Sequence, residues 1–284
     1  MQIFVQTRGE ARASDYCFLG QAPRSPWWRT YREHTAFDHP TLIVHSDGAG
    51  WRACLSGIPS ARVDAVGTVV RYTVVLEGAC GTAETTRTLA AVAAWLSDIA
   101  TNTAGGAVQS AFDREFPGPV VERLITDRRE GAWQETQQRA TAALTSLPAA
   151  ATAATTGSGS WVGDVAARAP RAQFLNRAAG LLDGTAGRAV FLNLIGSWDD
   201  ATAVARGGPP VAILGEDITG VPDDGVAGLE VAGLAAKKGP PPPRVSNQVA
   251  VNRTAPPAPA RKARRPSLLR WLAALLGGGD RWSR

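Results

Sequence analysis

The chain has 284 residues, 44% of them hydrophobic and 19% charged, the balance of a globular protein rather than of a chain disordered throughout. Its formal net charge of +5 hides a division: eleven of the thirty Lys and Arg, but one of the twenty-five acids, lie from Lys237 onward, leaving nineteen bases and twenty-four acids in residues 1–236. A mildly acidic body with a basic end excludes a protein that binds nucleic acid through its overall charge.

The first residues, MQIFVQTRGEARASDYC, hold no basic start followed by a long apolar run, and no stretch reaches the roughly 18–20 apolar residues of a membrane-spanning helix. A cytoplasmic body is expected. Cys17, Cys54 and Cys80 lack the close pairing of a zinc or redox motif and are expected as reduced thiols. A single Met among abundant Ala, Gly and Arg points to a GC-rich bacterial source.

In chain order, QIFVQT and SDYCFLG alternate and predict strands. TLIVHSDGAGWRACLSG predicts a β-hairpin turning at Ser46-Asp47-Gly48-Ala49-Gly50, and GIPSARVDAVG a turn leading into the strand TVVRYTVVLEG. The period then changes: Leu89, Val92, Leu96 and Ile99 recur at steps of three and four, which puts them on one helical stripe. Helices continue to about residue 147, broken near Phe116-Pro117-Gly118-Pro119, and AAATAATTGSGS reads as a hinge. RAQFLNRAAGLL predicts a helix. RAVFLNLIG and PPVAILGED predict buried strands flanking the short helix SWDDATAVARGG, a βαβ-like unit with parallel pairing.

Beyond Ala236 the composition shifts. Residues 237–266 hold eight of the nineteen prolines and almost no large apolar side chain, so a solvated tether is expected. Ser267 can cap a helix that Gly277 ends; on it Leu268, Leu269, Trp271, Leu272, Leu275 and Leu276 share an arc of about 160° opposite Arg270. Half-burying that face stabilises by about 5–9 kcal/mol, and ordering its backbone costs at least as much. A preformed groove on another protein, the chain's own body, or an anionic membrane attracting Arg264, Arg265 and Arg270, would supply the remainder. Nucleic acid is disfavoured as a partner, because so many leucines serve no purpose against a polyanion.

The densest catalytic cluster is YREHTAFDHPTLIVHSDG, where His39 and His45 with Asp38 and Asp47 resemble general-base pairs and Cys54 is a candidate nucleophile. The spacing matches no metal motif, phosphate-binding glycine motifs are absent, and neither a metal nor a cofactor is expected. Trp27, Trp28 and Arg29 form a second interface candidate, the alternative being that the tryptophans cover a sheet. Arg62, Asp64 and Arg71 are expected to form a charge pair across a turn.

The expected fold is α/β or α+β: an N-terminal β-rich part of antiparallel hairpins, a helical middle, a C-terminal βαβ-like part, then a disordered tail with a short amphipathic helix. Boundaries fall at 1–147 and 161–236, able to form one body, then the linker 237–266 and the helix 267–277. The expected function is a non-enzymatic adaptor of a bacterial multi-component system, recruited through the terminal helix. The alternatives are a hydrolase using the cluster in residues 33–54 and a peripheral membrane protein. Any small-molecule ligand stays open.

Overall fold

A computed structural model describes residues 1–229 apart from 11–14, 37, 103–104, 128–129, 152–158, 207 and 222–224. The tether, the terminal helix and most of the hinge lie outside the described residues. The rest is a mixed α/β fold around one nine-stranded sheet in the order β2-β1-β5-β4-β3-β7-β8-β6-β9.

The N-terminal strands are β1 (Gln2–Thr7), β2 (Cys17–Phe18), β3 (Thr41–Ser46), β4 (Gly50–Val63) and β5 (Val69–Ala79). They pair antiparallel throughout. The β3–β4 hairpin turns where the glycines and Asp47 predict: the Asp47 carboxylate accepts from the Ala49 and Gly50 amides at 3.0 and 2.9 Å, and Gly48 supplies a φ of 95°. Among the described residues of SDYCFLG, only Cys17–Phe18 form a strand, β2. GIPSARVDAVG is corrected more substantially, because β4 runs through Gly57, Ile58 and Pro59 to Val63 and the turn falls at Asp64–Gly67. A register shift between Leu55 and Ile58 absorbs the glycine, and Arg71 donates to the Gly57 carbonyl at 3.1 Å. Asp64 accepts from the Val66 and Thr68 amides and pairs with Arg8 at 3.2 Å. Arg62 is not its ionic partner; it donates to the Arg8 carbonyl and Thr7 hydroxyl and lies over the Tyr72 ring.

Helices α1 (Ala83–Thr101), α2 (Ala107–Glu115), α3 (Gly118–Thr126) and α4 (Glu130–Thr145) follow. The break at Phe116–Pro119 stands where the prolines predict it, with Pro117 capping α3. Of the predicted α1 stripe, Val92, Leu96 and Ile99 are buried and Leu89 packs partly buried against the same core. Helix α4 also protects the sheet edge: the Gln137 side-chain amide accepts from the Ile3 amide at 3.1 Å and donates to the Ile3 carbonyl, imitating a neighbouring strand where β2 does not reach.

The C-terminal part is β6 (Trp161–Asp164), α5 (Arg168–Leu182), β7 (Gly187–Phe191), α6 (Trp198–Arg206), β8 (Val211–Gly215) and β9 (Val226–Gly228). The predicted βαβ unit is present as β7-α6-β8 with parallel pairing. The chain crosses from β6 over β8 to β7 and then returns to β8, and the two connections lie on opposite faces: α5 packs into the core with α1 and α4, α6 into the core on the other side. Being covered on both faces, β7 and β8 are buried at every residue, which is why their sequences are nearly continuous apolar runs. The antiparallel pairing of Leu42–Ser46 with Gly187–Phe191 joins the halves, so the described strands of 1–147 and of the part after residue 160 share one sheet. Among the described residues no helix is long and apolar enough to cross a membrane.

Candidate binding cleft

The end of the sheet where β6, β7 and β8 finish is also where β3 begins and where β4 bends at Gly57. Parallel strands present the carboxyl ends of their backbones together at such a place, and where crossover helices leave to opposite faces a crevice opens. Here it is a cleft of about 600 Å³, walled by Trp95 and Ile99 of α1, Pro40 and Pro59. Trp95 is held by its indole N–H, which donates to the Thr41 carbonyl at 3.0 Å.

Five carboxylates line the cleft, Asp38, Asp98, Asp164, Glu216 and Asp217, against the bases His39 and Arg71. Two are engaged in building it. Asp98 accepts from the Ala107 and Val108 amides at 3.0 and 2.9 Å and so caps α2 from the end of α1. Asp164 accepts from the Ala166 amide at 2.6 Å and shapes the turn from β6 into α5. Glu216 and Asp217 are exposed just past β8, Asp217 in the left-handed region at φ 48°. Asp38 and His39 approach to 3.8 Å at the rim, both more than half exposed. Among the described residues the lining holds no Cys, Ser or Thr.

The sequence cluster does not converge on this cleft. Asp38 and His39 lie at one end of β3 and Asp47 in the turn at the other, and the six residues of β3 put about 20 Å between them. His45 and Cys54 share the face of the sheet that carries α6. Cys54 pairs with Ile43, is fully buried, and burial pushes its thiol up to about 12, so it is not a thiolate nucleophile at neutral pH. His45 stands between Arg52 and Arg188 on the neighbouring strands. Among the described residues no three His, Cys, Asp or Glu side chains group to hold a metal ion.

Trp27 and Trp28 open a 3-10 helix (Trp27–His34) laid over the same face, half-buried with Tyr31 beneath; Arg29 is exposed. They cover the sheet. Trp28 meets Phe18 edge-on at 6.1 Å, and the Arg52 guanidinium lies 5.4 Å above the Trp27 ring. The terminal candidates, Leu268, Leu269, Trp271, Leu272, Leu275, Leu276, Arg264, Arg265 and Arg270, lie outside the described residues. Sequence reasoning missed Asp98, Asp164, Glu216 and Asp217; the available signal was an acid directly after each apolar strand, WVGD and VAILGED.

His45 has a measurable consequence. Burial first, then repulsion by Arg52 and Arg188, lowers its pKa below 6.5, with Asp47 opposing weakly. The unfolded chain therefore takes up a proton at a pH where the folded chain does not, and stability falls as pH drops through 6.5 toward the folded pKa. His45→Gln is expected to flatten this segment of a melting-temperature curve recorded from pH 7.5 downward; an unchanged slope would show that His45 is not responsible.

No protein-family model, curated protein or solved structure matches the chain significantly.

Proposed function

We propose that this chain is a non-enzymatic accessory protein of a bacterial multi-component system, working in the cytoplasm and recruited to a partner protein by its C-terminal segment. The observation that supports this is the break at residue 237: a net-acidic body whose last described strand ends at Gly228, then a proline-rich, strongly basic run ending in an amphipathic nine-residue stretch. Such a stretch is too short to be helical alone in water, and its leucine and tryptophan face needs an apolar groove to fill. Leu268, Leu269, Trp271, Leu272, Leu275 and Leu276 supply the anchors, while Arg264, Arg265 and Arg270 favour an acidic rim.

The test compares the full-length protein with full-length Leu272→Glu, which places a charge in the middle of the face. A defined protein recovered in stoichiometric amount with the wild type and lost with the variant, at unchanged melting temperature, supports recruitment. Equal recovery with both overturns it. Flotation with phosphatidylglycerol vesicles, abolished by the same substitution and without a protein partner, would transfer the segment to a lipid surface and overturn the protein-partner assignment.

A further inference from the structure

We propose that the face of the sheet carrying His45 holds a binding site for a phosphate-type oxyanion, formed by Arg52, His45 and the charge of Arg188. The register places these three side by side: His45 of β3 is paired directly with Arg52 of β4 on one side and with Arg188 of β7 on the other. All three point to one face, since Cys54, Ile43 and Val190, two positions along each strand, belong to the core on that face. An arginine on either side disfavours a charged His45, so three basic side chains abreast on one face require an account.

The two arginines are not equivalent. Arg188 is buried and spends its donors on carbonyls, those of Val204, Ala205 and Pro209, at 3.0 to 3.3 Å. It contributes field and holds the end of α6 against the row. Arg52 is partly exposed, and its guanidinium makes no hydrogen bond or ion pair among the described residues; the Trp27 ring beneath it sets its position and leaves its fork of donors unspent. His45, half-buried between them, can present a ring N–H to the same point.

The acids nearby offset the row only in part. Asp47, in the adjoining turn, gives its oxygen to the Ala49 and Gly50 amides. Glu77 of β5 is paired in register with Arg52 on the side away from His45 and stands within ion-pair distance of no base among the described residues. Arg206 in the last turn of α6 adds a further positive charge to this side. A planar fork beside a ring N–H in a positive field matches an oxyanion with several acceptor oxygens, and phosphate uses both more fully than a monovalent carboxylate. Binding and His45 protonation are linked: an anion seated there raises the His45 pKa, and protonated His45 tightens the anion by the same factor.

The experiment follows the His45 ring resonance of the full chain, assigned by its loss in His45→Gln, while inorganic phosphate is added at constant ionic strength and pH. A saturable shift, a raised His45 titration midpoint, an affinity weaker by about tenfold in Arg52→Gln and a tighter one in Glu77→Gln are expected. The opposite signs of the two substitutions separate recognition from general damage to the fold. No saturable shift, or the same affinity in wild type and Arg52→Gln, overturns the site. An equal response to acetate at matched ionic strength also overturns it, since screening rather than phosphate recognition would then move the resonance.

Discussion

Gly57→Ala should lower the melting temperature by roughly 10 °C, from a loss of about 3–5 kcal/mol. Gly57 has φ +76°, and a methyl group there would stand 2.5 Å from the His39 carbonyl carbon and 2.8 Å from the Pro40 nitrogen. Two costs combine. A left-handed conformation costs an alanine about 1–2 kcal/mol, and the clash is with main chain, which cannot rotate away as a flexible side chain can, so it falls at the upper end of the range for overpacking. Gly67, in the next turn, has φ +83° but nothing within 4 Å. Gly67→Ala therefore carries only the conformational cost, worth about 2–8 °C. Thermal unfolding of both variants separates the terms; equal shifts would show that the His39–Pro40 segment does not press on β4. Because that segment forms one wall of the cleft, the damage from Gly57→Ala should also reach the cleft.

The second large effect is expected at Arg188. Its guanidinium makes four hydrogen bonds to three carbonyls, two of them in the last turn of α6, where helix carbonyls lack intrahelical amide partners. Arg188→Met keeps the apolar stem and removes every donor. Two effects compete: the carbonyls lose charge-assisted bonds, and the protein no longer bears the desolvation of a buried cation. The first should win, because carbonyls left without a donor are costly and Val204 and Ala205 are themselves buried. A net loss of about 2–4 kcal/mol is expected in urea unfolding. Arg188→Lys should recover only part, since one ammonium cannot reach three acceptors from one position. A loss below about 1 kcal/mol would show that water replaces the guanidinium.

Some of the candidate surfaces were legible before folding and some were not. Asp38 and His39, named as catalytic candidates, stand together at the rim of the cleft, both solvated, while Asp47, His45 and Cys54 lie elsewhere. Asp98, Asp164, Glu216 and Asp217 come from three distant segments and meet only because α1, β6 and β8 end together. The row of Arg52, His45 and Arg188 is equally invisible in one dimension. Arg52 and His45 share a hairpin, but Arg188 lies well over a hundred residues away and arrives only by strand pairing.

What the sequence by itself determined is local. The hairpin at Asp47, the density of β5, the helical stripe of α1, the break at Pro117 and the alternation of strand and helix after residue 160 follow from turn chemistry and hydrophobic period, which act over a few residues. What only the tertiary structure decided depends on the free neighbours of each strand. Gly57 could end β4 or bulge within it, and the partner strand β5 selected the bulge. The join of β3 to β7, which makes one sheet of two segments, arises because both strands are largely buried on both faces and each needs an edge as well as two covering layers. No local pattern encodes that choice, since the cost of an unpaired buried edge exists only once the rest of the sheet is assembled.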